Sequence, residues 1–531
     1  MSNLPSNMSH NFARVPQANI PRSQFRSPWT NKFDFDGGLL IPFFVDEVLP
    51  GDTFNDKFAF FGRLATPVKP VMDNIYLDTF YYYVPNRLLW ENWEKFNGAQ
   101  EDPDDSTDFL IPQITPPVDG FAFNSIYDYM GIPPLIPGQT INALHLRAYN
   151  FIWDQDFRDQ NLQDSVKFSK GDGPDLSTAY SLKRRGKRHD YFTSSLPWPQ
   201  KGPAASLSFS GNAPVMGIAA PQGGALASVN ALRDSRGVSG LTYNNAYLSS
   251  AASNHVYIAG QTISGTNYPA VFADLSAATP FTINEFRQAF QLQMMLEMDA
   301  RGGTRYVEIL RAHFGVISPD FRLQRPEYLG GSSTRIQVSQ VPQTMSTDNT
   351  TPQGNLAAYG TVQNNRDGYQ KSFVEHGVII GLLSVRADLT YQQGIRRMWS
   401  RRTKYDFYWP GLAHLGEMAV LKKEIYSKGT AGGAWDNQVW GYQEAWADYR
   451  YVPSLITGQM RSDAPQSLDV WHLSQDLVDP VLGDAFIQEN PPIDRISAVT
   501  DEPNFIMDCF GDLVRARPMP LFSTPGLITR L

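Results

Sequence analysis

After a turn at Pro50, Gly51 and Asp52, apolar residues recur at even positions: Phe54, Phe58, Phe60 and Leu64 on one side, Asn55, Lys57 and Arg63 on the other. Period two marks a half-buried strand, because successive side chains of an extended chain point to opposite faces. Pro67 and Pro70 end it, since proline has no N–H to give to a sheet. Positions 75–84 predict a second strand, and Tyr81, Tyr82 and Tyr83 make both of its faces aromatic. A strand without a water-facing side is covered twice, by another sheet, a helix or a neighbouring subunit. Asn86 then caps a short helix through Leu89, Trp93 and Phe96, which Gly98 ends.

Helical spacing takes over at 140–160, where Ile141, Leu144, Ala148 and Ile152 share a face. A clearer helix opens at Thr282, whose pairing with Glu285 is a capping box. Its stripe is Ile283, Phe286, Phe290, Met294 and Met298; core packing is the expected use, with an adaptable methionine-rich binding face as the alternative. Gly302 and Gly303 close it, and Thr304 opens a shorter helix through Val307, Leu310 and Phe314. The Ser, Thr, Gln and Asn of 330–371 read as loop, with strands resuming at 378–391 and 404–409.

The window 202–273 breaks the pattern, with Arg233, Asp234 and Arg236 as its only charges. A flexible loop is one reading. Alternating Val256, Ile258, Val271 and Phe272 argue for order instead, and a surface so poor in charge is best hidden against copies of itself.

A length of 531 residues would ordinarily mean roughly three or four domains. No Pro/Ser-rich linker or long charge block divides the chain, so long connections on one sheet framework explain the length better. The 32 Phe, 24 Tyr and 11 Trp supply the core, and 41 Gly and 38 Pro favour a mainly β, loop-rich chain. The lone Cys509 excludes an intramolecular disulfide and reads as a buried structural thiol. The N-terminus is too polar for a signal peptide. The apolar runs at 39–45 and 377–385 fall far short of the ~20 residues of a membrane span, so no membrane insertion is expected. Residues 1–33 carry Arg14, Arg22, Arg26 and Lys32 without an acid and read as an extended arm lying on neighbours.

Motifs of chemistry are missing: there is no Walker A loop, GxSxG, HExxH or CxxC. The eight histidines are scattered, and the acidic run 101–108 lacks calcium-loop spacing and reads as a solvated loop. No catalytic, cofactor-binding or metal-binding residue is therefore assigned, and no enzyme activity is expected. The competing class is a carbohydrate-active protein, for which Asp154 with Asp156, or Glu444 with Asp448, would have to face each other.

Two basic clusters remain. Lys183, Arg184, Arg185, Lys187 and Arg188 precede Tyr191, Phe192 and Trp198; Arg396, Arg397, Arg401, Arg402 and Lys404 surround Trp399, Tyr405, Phe407 and Trp409. Cations interleaved with rings suit single-stranded nucleic acid, where charge tracks phosphates and rings stack bases. Subunit contacts use the same residues, so both readings stand for Arg184, Arg185, Lys187, Arg188, Arg396, Arg397, Arg401 and Arg402.

Several segments together resemble one family. They are Phe80-Tyr81-Tyr82-Tyr83-Val84-Pro85-Asn86-Arg87 with Trp90 and Trp93, 185–192 with Leu196-Pro197-Trp198-Pro199, 299–306, 323–331, 385–391 and 397–410. Their order resembles the major capsid protein of the Microviridae, small icosahedral phages with circular single-stranded DNA, and most closely the gokushovirus branch. The likeness runs along nearly the whole chain and fails mainly at about 202–280. It implies an eight-stranded antiparallel jelly roll with long inter-strand insertions containing a few helices. The core would be 1–201 with 281–531, and the insertion 202–280 a threefold protrusion for host contact. It further implies self-assembly into a T=1 shell in the virion, put together in the cytoplasm of a bacterial host. The implied partners are identical subunits, circular single-stranded DNA, internal scaffolding and pilot proteins, a host surface receptor and a small basic DNA-binding protein. The last answers a physical need, because a chain of net charge −8 cannot neutralise a genome by itself.

Overall fold

The computed structural model describes residues 21–166, 168–205, 283–303, 305–316, 324–345, 347 and 352–522, with paired segments at 215–216, 242–244, 247–249, 260–263, 266–269 and 272–273. Eight strands make the main sheet: β1 (Ser23–Phe35), β2 (Ile41–Val48), β3 (Thr53–Leu64), β4 (Ile75–Pro85), β5 (Glu327–Pro342), β6 (Leu356–Ser372), β7 (Gly377–Arg386) and β8 (Phe505–Arg517). Their order is β1-β8-β3-β6-β5-β4-β7-β2, antiparallel at every pairing. The predicted turn ahead of β3 is present: Gly51 has φ +90°, which favours glycine, and Asp52 Oδ2 accepts from the Leu49 N–H at 2.9 Å.

The sheet folds over on itself. Strand β5 changes partner along its length, pairing with β4 as far as Ile336 and with β6 from Gln337. Strands β3 and β4 are not neighbours in the sheet, yet the rings of Phe58 and Tyr81 stack with centroids 5.1 Å apart. Phe43 of β2 meets Phe60 of β3 edge-on at the same distance. Rings from both halves thus fill one interior, the arrangement of a jelly roll. Cys509 lies in this interior, where burial pushes its thiol well above the usual range.

Both faces of β4 are covered, as its aromatic run requires. Ile75, Leu77, Tyr81 and Tyr83 enter the sandwich core, while Tyr82 and Val84 join a second core with β7 and the connection that follows β4. That connection places helix α1 (Leu144–Ile152) on the sheet, where the Tyr149 hydroxyl donates to the Leu40 carbonyl at 2.8 Å. The buried Arg147 is matched by Asp175 at 2.6 Å, and Asp175 also accepts from the Tyr180 hydroxyl at 2.5 Å.

Several sequence expectations change. The 330–371 loop is instead most of β5 and β6, the two longest strands of the sheet. Most of its polar residues face outward while Ile336, Ala358, Val362, Asp367 and Tyr369 turn in, and strand neighbours on both sides override weak β propensity. Gly368, with φ +141°, sits at the bulge where β6 loses register against β3; a Cβ there would lie 2.2 Å from the Asp56 carbonyl oxygen. The basic arm is, from Ser23 onward, edge strand β1. Its cations find carboxylates on β8, Arg26 with Asp512 at 2.7 Å and Lys32 with Asp508 at 2.8 Å; residues 1–20 lie outside the described ones. The 140–160 helix shortens to α1 followed by a wide turn at Trp153–Phe157. The strand at 404–409 is a single turn, Lys404–Asp406, followed by an extended aromatic run.

Clustering of the backbone divides the chain into two compact units, 1–199 with 303–531, and 200–302. In the second, α2 (Ile283–Arg301) forms as its periodicity predicts, but its stripe is not core. Ile283, Phe286, Phe290, Met294 and Met298 are all exposed, and of the described residues in the helix only Ala300 is buried. The stripe encodes an apolar face without naming what covers it. In the first unit, α3 (Tyr306–Phe314) ends on Gly315 at φ +66°. Most of the 202–280 window, with its expected protrusion and the capping residue Thr282, lies outside the described residues.

Candidate assembly and nucleic-acid surfaces

The first basic cluster is turned inward. Its chain runs along the framework, bridging Leu39 at Arg184 and Gln488 at Gly186. Arg184 Nη1 donates to the Gly37 and Glu489 carbonyls at 3.1 and 3.3 Å. Arg185 reaches Asp78 on β4 at 2.5 Å, and Arg386 of β7 donates to the same carboxylate at 2.7 Å while Ser333 of β5 donates at 2.6 Å. Burial acts to raise the Asp78 carboxyl, but Ser333 and the two guanidinium groups outweigh it and hold the group below its usual value.

Lys187 is buried. Its Nζ donates to Gln475 Oε1 at 2.6 Å and lies 4.4 Å from the centre of the Phe486 ring. Burial lowers its ammonium to about 8, and burial also raises the carboxyl of nearby Glu489 despite Lys187. Arg188 is exposed and has no side-chain partner among the described residues.

Beside this cluster opens a cleft of about 740 Å³ floored by Phe80, Tyr82 and Phe157. Its rim is less cationic than composition implies. Arg158 pairs with Asp154 at 2.9 Å, Arg185 with Asp78, and Arg305 with Glu308 at 2.9 Å.

The second cluster divides in two. Arg397 pairs with buried Glu424 at 2.8 Å and donates to the Ala419 carbonyl. Glu424 Oε2 accepts from the Tyr191 hydroxyl at 2.9 Å, tying this cluster to the segment that follows the first. Arg401 pairs with Asp448 and lies 4.2 Å from the Tyr449 ring centre. Arg396 and Arg402 have no side-chain partner among the described residues, and Arg402 is exposed. Around them Trp399, Tyr405, Phe407, Tyr408 and Trp409 stand out as an exposed ridge.

Beside the ridge, at Met398, lies a cavity of about 190 Å³, lined mainly by rings and aliphatic side chains with Arg396 and the Arg397–Glu424 and Arg401–Asp448 pairs in its wall. The sequence locates these rings beside the cations, but a strand would alternate; their run without alternation is the signal for an exposed ridge. Asp78, Glu489 and Asp175 carried no sequence signal, since a buried carboxylate is legible only through its partner.

The carboxylates considered for sugar chemistry are held by arginines: Asp154 by Arg158, Glu444 by Arg450 and Asp448 by Arg401, while Asp156 hydrogen-bonds Tyr82. Among the described residues no three His, Cys, Asp or Glu side chains come together as a metal site, and no helix is long and apolar enough to cross a membrane.

Comparison with known proteins matches residues 13–527 to the family described as Capsid protein (F protein). The chain is 48% identical to the capsid protein VP1 of Bdellovibrio phage phiMH2K, covering 98% of each chain. It is 43% identical to VP1 of Chlamydia phage 1, over 99% of this chain and 98% of that one. VP1 of Spiroplasma virus 4 is 38% identical over 98% and 97%.

Proposed function

This chain belongs to the capsid protein (F protein) family of the Microviridae, and from that premise we propose that its copies close into a T=1 icosahedral shell around circular single-stranded DNA. It is a structural protein of the virion and not an enzyme. The observation that carries the shell reading is the contrast within one subunit. The sandwich is closed on both faces of β4, while the 399–409 ridge leaves broad apolar surface exposed. Such surface belongs against copies of the same chain.

The genome reading rests on charge. With net −8, and with Arg184, Arg185, Lys187, Arg397 and Arg401 engaged inside the fold, the two basic clusters have few cations left for phosphate. Arg188, Arg396 and Arg402 are the candidates left of the eight for DNA contact, and the bulk of neutralisation falls to a small basic DNA-binding protein. The 202–280 insertion is proposed as a trimeric protrusion that meets the host receptor, and internal scaffolding and pilot proteins complete the set of partners.

Electron microscopy of particles purified from infected or co-expressing cells tests this, with the extracted nucleic acid treated by exonuclease and single-strand endonuclease. Uniform T=1 spheres yielding exonuclease-resistant, endonuclease-sensitive DNA are expected. Open sheets, larger shells or linear duplex would overturn it.

A further inference from the structure

The cavity beside the aromatic ridge is built to receive something. Tyr191, Phe192, Met398, Tyr449, Val452 and Leu455 give it apolar walls, and its volume is about 190 Å³. An apolar cavity of about 150 Å³ holds a benzene ring, so a bicyclic ring is the larger group that matches. Asp448 lines the cavity with its Oδ2 held by Arg401 and its Oδ1 closed off from solvent, so size and apolar fit select the occupant. Among side chains, a bicyclic ring is an indole.

The same face offers one. Trp399 follows Met398, a wall residue, and is 75% exposed, more than any other ring of the ridge. We propose that the cavity is a socket for the Trp399 indole of a second copy of this chain. Socket and ring lie side by side on one subunit, so two copies meeting through this face fill both sockets at once, the reciprocity of a two-fold contact. The surface is large enough. Five exposed ridge rings with Tyr449, Tyr451, Val452 and Leu455 present on the order of 900 Å² when aromatic side chains bring ~150–250 Å² each, against roughly 800 Å² per partner in a standard interface. Arg396, Arg397 and Arg401 then serve as walls of the socket rather than as DNA ligands, which leaves Arg188 and Arg402 of the eight for phosphate.

The proposal rests on the shell reading, and its test keeps the two apart. Full-length wild type, Trp399→Ala, Val452→Trp and the double variant are each produced with the complete set of virion proteins. Particle yield is read on a sedimentation gradient, and circular dichroism checks the fold of the unassembled pool. Trp399 and Val452 are both exposed, so neither change should unfold the subunit. Trp399→Ala empties the socket and Val452→Trp blocks it from the subunit's own side. Each should lower yield at least tenfold, and the double variant should be no worse than the weaker single, because one interaction can be lost only once. Yield within twofold of wild type for Trp399→Ala, or losses that multiply in the double variant, would overturn the socket alone. Absence of uniform particles from wild type would overturn the shell reading and the socket with it.

Discussion

The segments 183–192 and 396–409 match closely in composition, each a knot of arginine and lysine among aromatic rings, yet the fold uses them in opposite ways. The first is threaded through the framework, where Arg185 and Lys187 meet Asp78 and Gln475 and little is left outside but Arg188. The second keeps Arg397 and Arg401 beneath and pushes its rings into solvent. The difference lies in where the opposing carboxylates are. Asp78 belongs to strand β4 of the main sheet and draws its arginines onto the framework. Glu424 and Asp448, buried to a similar degree, belong to the long connection between β7 and β8 and hold Arg397 and Arg401 there while the neighbouring rings stay exposed. Cations among aromatics describe a composition; the position of the acid decides between structure and contact.

The strongest way to break this comparison is at Arg185. Arg185→Ala leaves Asp78 with Arg386 and Ser333 as its partners, and losing one charged partner of a mostly buried carboxylate costs ~1–3 kcal/mol. A chemical denaturation curve should show that loss, whereas a stable variant that packages less DNA would place Arg185 with the contact residues. The acid side gives a companion test. The Asp78 carboxyl is depressed from an ordinary value of 3.8, so its stabilisation is whole above about pH 4 and fades as pH falls through the lower folded value. Arg185→Ala should flatten this acid limb.

Lys187 sharpens the comparison by a smaller amount. Burial brings its ammonium from 10.5 to about 8, so between those values the unfolded chain holds a proton that the folded chain has released. Stability from this group therefore rises with pH from about 8 to 10.5. Urea midpoints at pH 7.5 and 10 should show this contribution in wild type and its absence in Lys187→Met; identical pH dependence would mean that Lys187 is solvated.

The smallest effect belongs to the outward segment. Arg402→Glu and Trp409→Ser should each change folding stability by no more than about 0.5 kcal/mol, read as an unmoved thermal midpoint of the unassembled chain. A drop of several degrees would mean that the ridge is part of the subunit's own core.

Legibility in the sequence followed the same division. Strands β3 and β4 were readable because one face of β3 and both faces of β4 are apolar, and α2 because its stripe repeats at helical spacing. Strands β5 and β6 were not, since Gly, Ser, Thr and Asn become strand there only through neighbours distant in the chain. Strand β1 was hidden for a related reason: a lone basic stretch gains its structure from Asp508 and Asp512. The basic clusters could be located but not oriented, because orientation is set by carboxylates far away in sequence.

Strand β8 comes after every other strand of the sheet in chain order, yet it fills the slot between β1 and β3, pairing with both along its length. Until it arrives, β3 has a bare edge and β1 has no neighbour. The sandwich is therefore closed by the last of its eight strands to be made, although domains tend to fold as their N-terminal parts emerge. A nascent chain stalled before 505 holds an open half-sheet whose exposed edge can pair with any similar edge nearby. On crowded polysomes making many copies at once, that gap sets the window in which chaperones would have to stand guard.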